Sequence, residues 1–316
     1  MFAWFQLFRI PNIFTLAADV VMVWFLLHAF LPDAVLAKIF PTFCLAGVGS
    51  AFLYLAGMAL NDVHDVQEDA LLRPERPIPS GKISRKTAAW VGGVMLGLGV
   101  ACYVPTFWIS GSFGWTFGLA VLLAICVLAY NTPLKDTFFG PITMGVCRGL
   151  NILTLLSFLP LEWLAQSPVW IVPLAICVYI AGVTFFARGE TEAGMPQTAL
   201  ATVLPVVVMA LGIGLLWNYV TWMCQWNPQS VVALLAAQPW RWSVLIGLLV
   251  AWLFVRGLTA AMNGPLAVRK MMKPAIFTLF ILDAALAFSV AGLPAALIIL
   301  ALMLPAVVLG TWIAST

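Results

Sequence analysis

The sequence is short of charge. Of 316 residues only 9% are Asp, Glu, Lys or Arg, where a soluble domain carries about a quarter. So few polar groups cannot cover a soluble globule of this length. That excludes a cytosolic enzyme, a nucleic-acid-binding domain and a disordered chain. Histidine is scarce as well, with two residues, and the six cysteines are scattered without a CxxC or Cys/His cluster. Nothing therefore marks a structural zinc site, and the cysteines read as small buried hydrophobes inside apolar runs. The period-2 alternation of a membrane β-barrel is missing too. No small-residue cleavage site follows the apolar run after Arg9, which reads as a retained anchor.

What is present is hydrocarbon. The hydrophobic class makes up 63% of the chain, and the mean hydropathy is +1.06. A spanning helix needs about 20 mostly apolar residues. Candidate spans are 13–30, 39–60, 87–104, 113–130, 138–159, 168–187, 198–220, 242–262, 275–290 and 293–313. Only Ala291 and Gly292 separate the last two, so the count is nine to ten. We read residues 1–316 as one all-α domain, a polytopic transmembrane helical bundle.

The few charges are unevenly placed. Alternate ends and loops hold Arg9; Arg73, Arg76, Lys82, Arg85 and Lys86; Lys135; Arg188; and Arg269, Lys270 and Lys273, while the opposite set holds Lys38 and Arg241. This asymmetry places the basic side in the cytoplasm. Nearly all the acids lie on that side too; the opposite loops keep Asp33 and Glu162. Orientation requires the cations, not the carboxylates beside them.

The densest acidic cluster ends the second span, Asn61-Asp62-Val63-His64-Asp65-Val66-Gln67-Glu68-Asp69. On one continuous helix, Asp62, Asp65 and Asp69 form a single stripe of about 10 Å. Like charges on one face repel, and a bound divalent cation resolves the repulsion. An all-oxygen set suits Mg²⁺, which joins carboxylates to a substrate phosphate. Downstream, Arg73-Pro74-Glu75-Arg76-Pro77-Ile78-Pro79-Ser80-Gly81-Lys82 supplies cations on a proline-stiffened loop. Together these point to a diphosphate site. A solvated helix end would carry similar charges, but interleaved with basic partners.

Asn61-Asp-x-x-Asp65-x-x-x-Asp69 followed by Arg73-Pro-x-Arg-Pro-Ile-Pro-Ser-Gly81 resembles the first signature of the UbiA superfamily of intramembrane prenyltransferases. Tyr130-Asn131-x-x-Leu134-Lys135, Gly145-x-x-Arg148-x-x-Asn151 and Leu282-Asp283-Ala284 resemble later patterns of that family, so the likeness covers most of the chain. Within the superfamily it looks closest to the EboC-like subgroup. The resemblance implies a bundle around a central cavity open to the cytoplasmic side, in a bacterial inner membrane. It also implies transfer of a prenyl group from a prenyl diphosphate to an unidentified acceptor, an aromatic ring among the options, with Mg²⁺ and in contact with membrane lipid. Residue by residue, Asn61, Asp62, Asp65 and Asp69 would hold the metal, and Asp62, Asp65, Tyr130 and Lys135 would be catalytic. Asn12, Arg73, Asn131, Arg148, Asn151, Arg188 and Glu190 would bind substrate.

One departure stands out. The family's second acidic cluster has carboxylates four residues apart, whereas Phe186, Glu190 and Gly194 occupy those positions here. Glu190 alone is acidic, and Arg188 nearby offers charge of the other sign. The loss leaves room for a catalytically inactive isoprenoid-binding protein. A ten-span transporter is the third reading, but no half-to-half repeat supports it.

Ionisable groups inside the spans are Asp19, Arg148, Arg256 and Asp283. Depth pairs Asp19 with Arg148 and Arg256 with Asp283, with Arg148 and Asn151 beside a polar cavity. Trp4, Trp108, Trp163, Trp170, Trp240 and Trp242 lie near span ends, as interfacial anchors do. Gly92, Gly93, Gly97 and Gly99 favour close helix packing.

Overall fold

The computed structural model describes residues 2–109, 114–191 and 199–313, and among them every regular element is helical. The principal helices are α1 (Ile10–His28), α2 (Asp33–His64), the short α3 (Val66–Leu72), α4 (Arg85–Ala101), α5 (Gly114–Ala129), α6 (Phe139–Leu156), α7 (Ile171–Thr191), α8 (Ala199–Gly214), α9 (Trp240–Met262), α10 (Pro265–Ala301) and α11 (Met303–Trp312). Nine helical stretches among the described residues are long and apolar enough to cross a membrane. Their length makes helix the outcome, because hydrocarbon offers the backbone no other hydrogen-bond partner.

The last stretch, Pro265–Trp312, has 48 residues. As one helix it would measure about 72 Å, more than twice the ~30 Å hydrocarbon core. The chain instead turns at Gly292, with φ 75° and ψ −166°, a conformation open essentially to glycine. Leu266 near its start and Thr311 near its end line the same cavity, so this stretch is two passes. Nine hydrophobic stretches thus make ten crossings.

Helix α1 sits centrally, against α10, α11, α2 and α6, while α2 packs on α4, α6 on α7, and α7 on α8. Small residues permit the closest of these approaches. A Cβ on Gly145 would lie 2.2 Å from the Cys177 carbonyl oxygen, and one on Gly149 would lie 2.8 Å from that of Pro173. The α6–α7 contact is thereby brought to backbone distance. The glycines of α4 divide differently from the sequence expectation. Gly92 and Gly99 face α2 side chains, whereas Gly93 and Gly97 have open space where a side chain would be.

Two further expectations are corrected. Trp242 is buried, and its indole Nε1–H donates to the Leu216 carbonyl at 2.6 Å, so it is a core residue and not an interfacial anchor. The cysteines are unpaired, but Cys44 is exposed and the other five are half-buried, so none is a sealed core residue.

Candidate active site

One end of the bundle encloses a cavity of about 1020 Å³. Its rim collects Arg9, Arg73, Arg76, Lys135, Arg188, Arg269, Lys270 and Lys273, against the acids Asp65, Glu68 and Asp136. These cations come from all five basic segments of the sequence, so the charge asymmetry of the chain becomes a convergence in space. Met58, Met144, Ile276 and Phe277 add apolar walls. The combination suits a polyanion joined to hydrocarbon.

The acidic motif is arranged differently from the expected stripe. Helix α2 stops at His64 and α3 starts at Val66, with Asp65 at the break (φ −78°, ψ 2°). Asp65 lines the cavity, while Asp62 and Asp69 are buried behind it. Side-chain cations divide these acids between them. Arg9 Nη2 donates to Asp62 Oδ1 at 3.2 Å. Arg76 Nη1 lies 2.7 Å from Asp69 Oδ2 and 3.7 Å from Asp62 Oδ1. Lys135 Nζ contacts Asp65 Oδ1 and donates to Asn61 Oδ1 at 2.8 Å, and Asn61 Nδ2 donates to Asp65 Oδ2 at 3.1 Å. The basic partners that the local sequence lacked are therefore supplied mostly from far along the chain.

Arg9 itself adopts left-handed φ 47°, ψ 51°, the only non-glycine with positive φ among the described residues. Burial works against its charge, yet Asp62 beside it holds its pKa above the ordinary arginine value. An observed backbone outlier facing a cavity, with its side chain on a motif carboxylate, is how strain is typically placed at working sites.

Tyr130 and Lys135 bracket a π-helical turn, Tyr130–Leu134, and both line the cavity. Arg188, at the end of α7, donates to the carbonyls of Lys135 at 2.6 Å and Thr137 at 2.7 Å. It thus fixes the loop that carries Lys135. Gly140 makes room for it, since a Cβ there would stand 2.7 Å from Arg188 Nη2. Asn12 and Arg73 also line the cavity.

Three candidates fall elsewhere. Asn131 is buried outside the cavity lining, with Nδ2 donating to the Val127 carbonyl at 2.9 Å. Arg148 and Asn151 lie beneath the floor. Arg148 is one helical turn deeper than the lining residue Met144, and Asp19 and Asp283 are two turns deeper than Asn12 and Ile276. Arg148 Nε pairs with Asp19 Oδ2 at 2.6 Å, as depth predicted. The Arg256–Asp283 pair is corrected, because Asp283 is fully buried beside Asp19 and in the field of Arg148, whereas Arg256 is exposed. The Glu190 side chain and residues 192–198 lie outside the described residues.

Among the described residues no three His, Cys, Asp or Glu side chains converge into a metal cage. The donor chemistry nonetheless fits a hard divalent cation. Asn61 Oδ1 and Asp65 Oδ1 already share one cationic atom, Lys135 Nζ, and Mg²⁺ typically takes only one or two protein carboxylates, completing its shell with substrate phosphate and water.

Sequence reasoning passed over several of the cavity cations. Arg9, Arg269, Lys270 and Lys273 were legible as orienting charges, but no local spacing tied them to the acidic motif. The fold and this cavity define a polytopic α-helical membrane protein with a chamber rimmed by cations at one end. The chain belongs to the UbiA prenyltransferase family, whose profile matches residues 20–262. It is 33% identical over 137 residues to a digeranylgeranylglyceryl phosphate synthase of Metallosphaera sedula, covering 42% of this chain and 45% of that protein. Another such synthase, from Methanoregula boonei, is 38% identical over 88 residues, covering 27% of this chain and 29% of that protein. These matches span less than half the length of the curated relatives. A solved structure from a structural and mechanistic study of digeranylgeranylglyceryl phosphate synthase in membranes shares the fold. Its TM-score is 0.62 at 17% identity, over 91% of this chain and 97% of that one.

Proposed function

We propose that this protein is a membrane prenyltransferase that takes a prenyl group from a prenyl diphosphate and passes it to an acceptor inside the chamber. The observation that carries this reading is the chamber itself, where an excess of cations and the Asn61–Asp65 oxygen pair meet an apolar wall. Lys135, Arg73 and Arg76 bind the diphosphate and stabilise the charge that develops on it as the allylic C–O bond breaks. Arg188 positions Lys135 through its two carbonyl contacts. Tyr130 and Asn12 orient the substrate at the wall, and Met58, Met144 and Phe277 keep water from the allylic carbon until the acceptor attacks. The acceptor proton leaves to solvent. Asn61 and Asp65, with Asp62 and Asp69 behind them, would hold Mg²⁺, which supplies further neutralisation of the leaving group.

The relatives' product name makes geranylgeranyl the first prenyl group to try. By the positive-inside rule the chamber opens to the cytoplasm across a plasma membrane, all within one transmembrane unit.

The test is diphosphate release from geranylgeranyl diphosphate by purified protein. Chelating divalent cations should stop it and Mg²⁺ should restore it, and Asp65→Asn should slow it by about 100-fold or more. Tight donor binding without release at any divalent metal would point to the inactive reading. Solute uptake into vesicles that Asp65→Asn leaves untouched would point to transport.

A further inference from the structure

We propose that Asp19 and Asp283 hold one proton between them beneath the chamber floor, and that this proton, together with Arg148, joins α1, α6 and α10 at that depth. The site lies below the residues that line the chamber and stands whatever the chamber binds.

Charge does not balance without the proton. Asp19 and Asp283 are both fully buried, and one guanidinium, that of Arg148, serves the two of them. With both carboxyls ionised the cluster carries one excess negative charge inside the hydrocarbon span, where an uncompensated ion is costly. One added proton makes the cluster neutral.

Hydrogen bonding asks for the same proton. The two carboxyl groups lie within hydrogen-bond reach of one another. An ionised carboxylate only accepts, so two of them side by side cannot bond, whereas an acid beside a carboxylate donates to it. Arg148 Nε reaches Asp19 Oδ2 at 2.6 Å, but Asp19 Oδ1 and both oxygens of Asp283 receive no hydrogen bond from the described residues. Buried polar atoms seldom go unpaired, and a shared proton supplies the donor that this pair lacks.

The neighbouring helices bring no other charge to the cluster. Helix α1 packs on α2, α6, α10 and α11, α6 packs also on α5 and α7, and α10 packs also on α7 and α9. From α2 comes the phenol of Tyr54, in the fields of Arg9 and Arg148. From α7 come Cys177 and Tyr179, whose hydroxyl donates to the Ala275 carbonyl. Cys126 and Cys147 are the thiols of α5 and α6, Arg256 of α9 is exposed, and α11 has no ionisable side chain. Arg9 and Lys273 stand ten residues from Asp19 and Asp283, about 15 Å up the same helices. Among the described residues only Arg148 and the partner carboxyl act on either acid.

The three helices joined here are walls of the chamber, through Asn12 of α1, Met144 of α6 and Ile276 of α10. Loss of the proton would set like charges against each other between α1 and α10 and loosen the floor.

The experiment uses the full chain in nanodiscs and reads the infrared carbonyl stretch of protonated carboxylic acids at pH about 7, well above the ordinary carboxylate range. The wild type should show a band that disappears in Asp283→Asn and in Asp19→Asn, because a single carboxyl left with Arg148 has a cation of its own. Each variant replaces one acid by its neutral isostere, so either one tests the site if the other does not fold. The second reading is Tm against pH. The folded chain keeps a proton that the unfolded chain, with ordinary carboxylates, has released, so raising the pH favours unfolding. The wild-type Tm, measured against that of Asp283→Asn, should therefore fall as the pH rises from about 6 to about 8, by about tenfold in the folding equilibrium per unit while the proton stays bound. A wild-type spectrum with no band beyond those of the variants would overturn the proposal, and so would a Tm difference that ignores pH. A Tm that depends on Na⁺ in place of choline, without the band, would give the position to a metal cation and overturn it equally.

Discussion

Asp19, Arg148 and Asp283 bring two fully buried carboxylates to a single guanidinium, inside the span and under the chamber floor. Each desolvated charge is tolerable only while its partner is present. Arg148→Leu leaves two carboxylates without their cation and should cost about 3–5 kcal/mol, read as a lower Tm in detergent. An unchanged Tm would mean that water already reaches the cluster. Depth in the sequence foresaw the Asp19–Arg148 pair but assigned Asp283 to Arg256, which is exposed. Depth along a helix is legible from residue number, whereas the azimuth that decides which neighbour a side chain meets depends on packing. The same limit applied to Asp62 and Asp69. Their spacing made them an obvious motif, yet Arg9 and Arg76, which hold them, were not paired with them by any local pattern.

At the scale of elements, the α6–α7 contact turns on Gly145 and Gly149. Gly145→Val would drive a side chain into the Cys177 carbonyl, and we expect a loss of about 1–3 kcal/mol from overpacking. Gly97→Ala, on the open face of α4, should stay within about 0.5 kcal/mol. Equal Tm values for the two variants would show that α6 and α7 do not meet as described. All of these glycines look alike in sequence. The α6 pair and Gly92 and Gly99 face a neighbour, Gly93 and Gly97 do not, and only the assembled bundle distinguishes them. The span predictions fared better, because a run of about 20 apolar residues has few alternatives to a crossing helix. The break of the acidic stripe at Asp65 was not foreseen, since nothing between His64 and Val66 is a helix breaker.

At the scale of the whole molecule, the reversal at Gly292 brings both ends of the 48-residue stretch to one side. In a cysteine-free background, Leu266→Cys and Thr311→Cys should be labelled by an impermeant maleimide from the same side of sealed vesicles. Labelling from opposite sides would make the stretch a single crossing and leave nine. The reversal also delivers α11 to the chamber wall, where Val307 lines the cavity. A contribution from the last helix to a chamber whose acidic motif lies in the first quarter of the chain has no sequence signature.

The sequence by itself determined that this is a helical membrane protein, which end of it is basic, and that an acidic motif sits at that end. Those properties follow from composition, run length and spacing, which act locally and survive being read in one dimension. The tertiary structure alone decided which cation holds which carboxylate, that Asn131, Arg148 and Asn151 lie off the cavity lining, and that α10 brings Lys270 and Lys273 to the chamber. Most such contacts join residues tens of positions or more apart, and their energies depend on distance, orientation and burial, which exist only once the helices have packed.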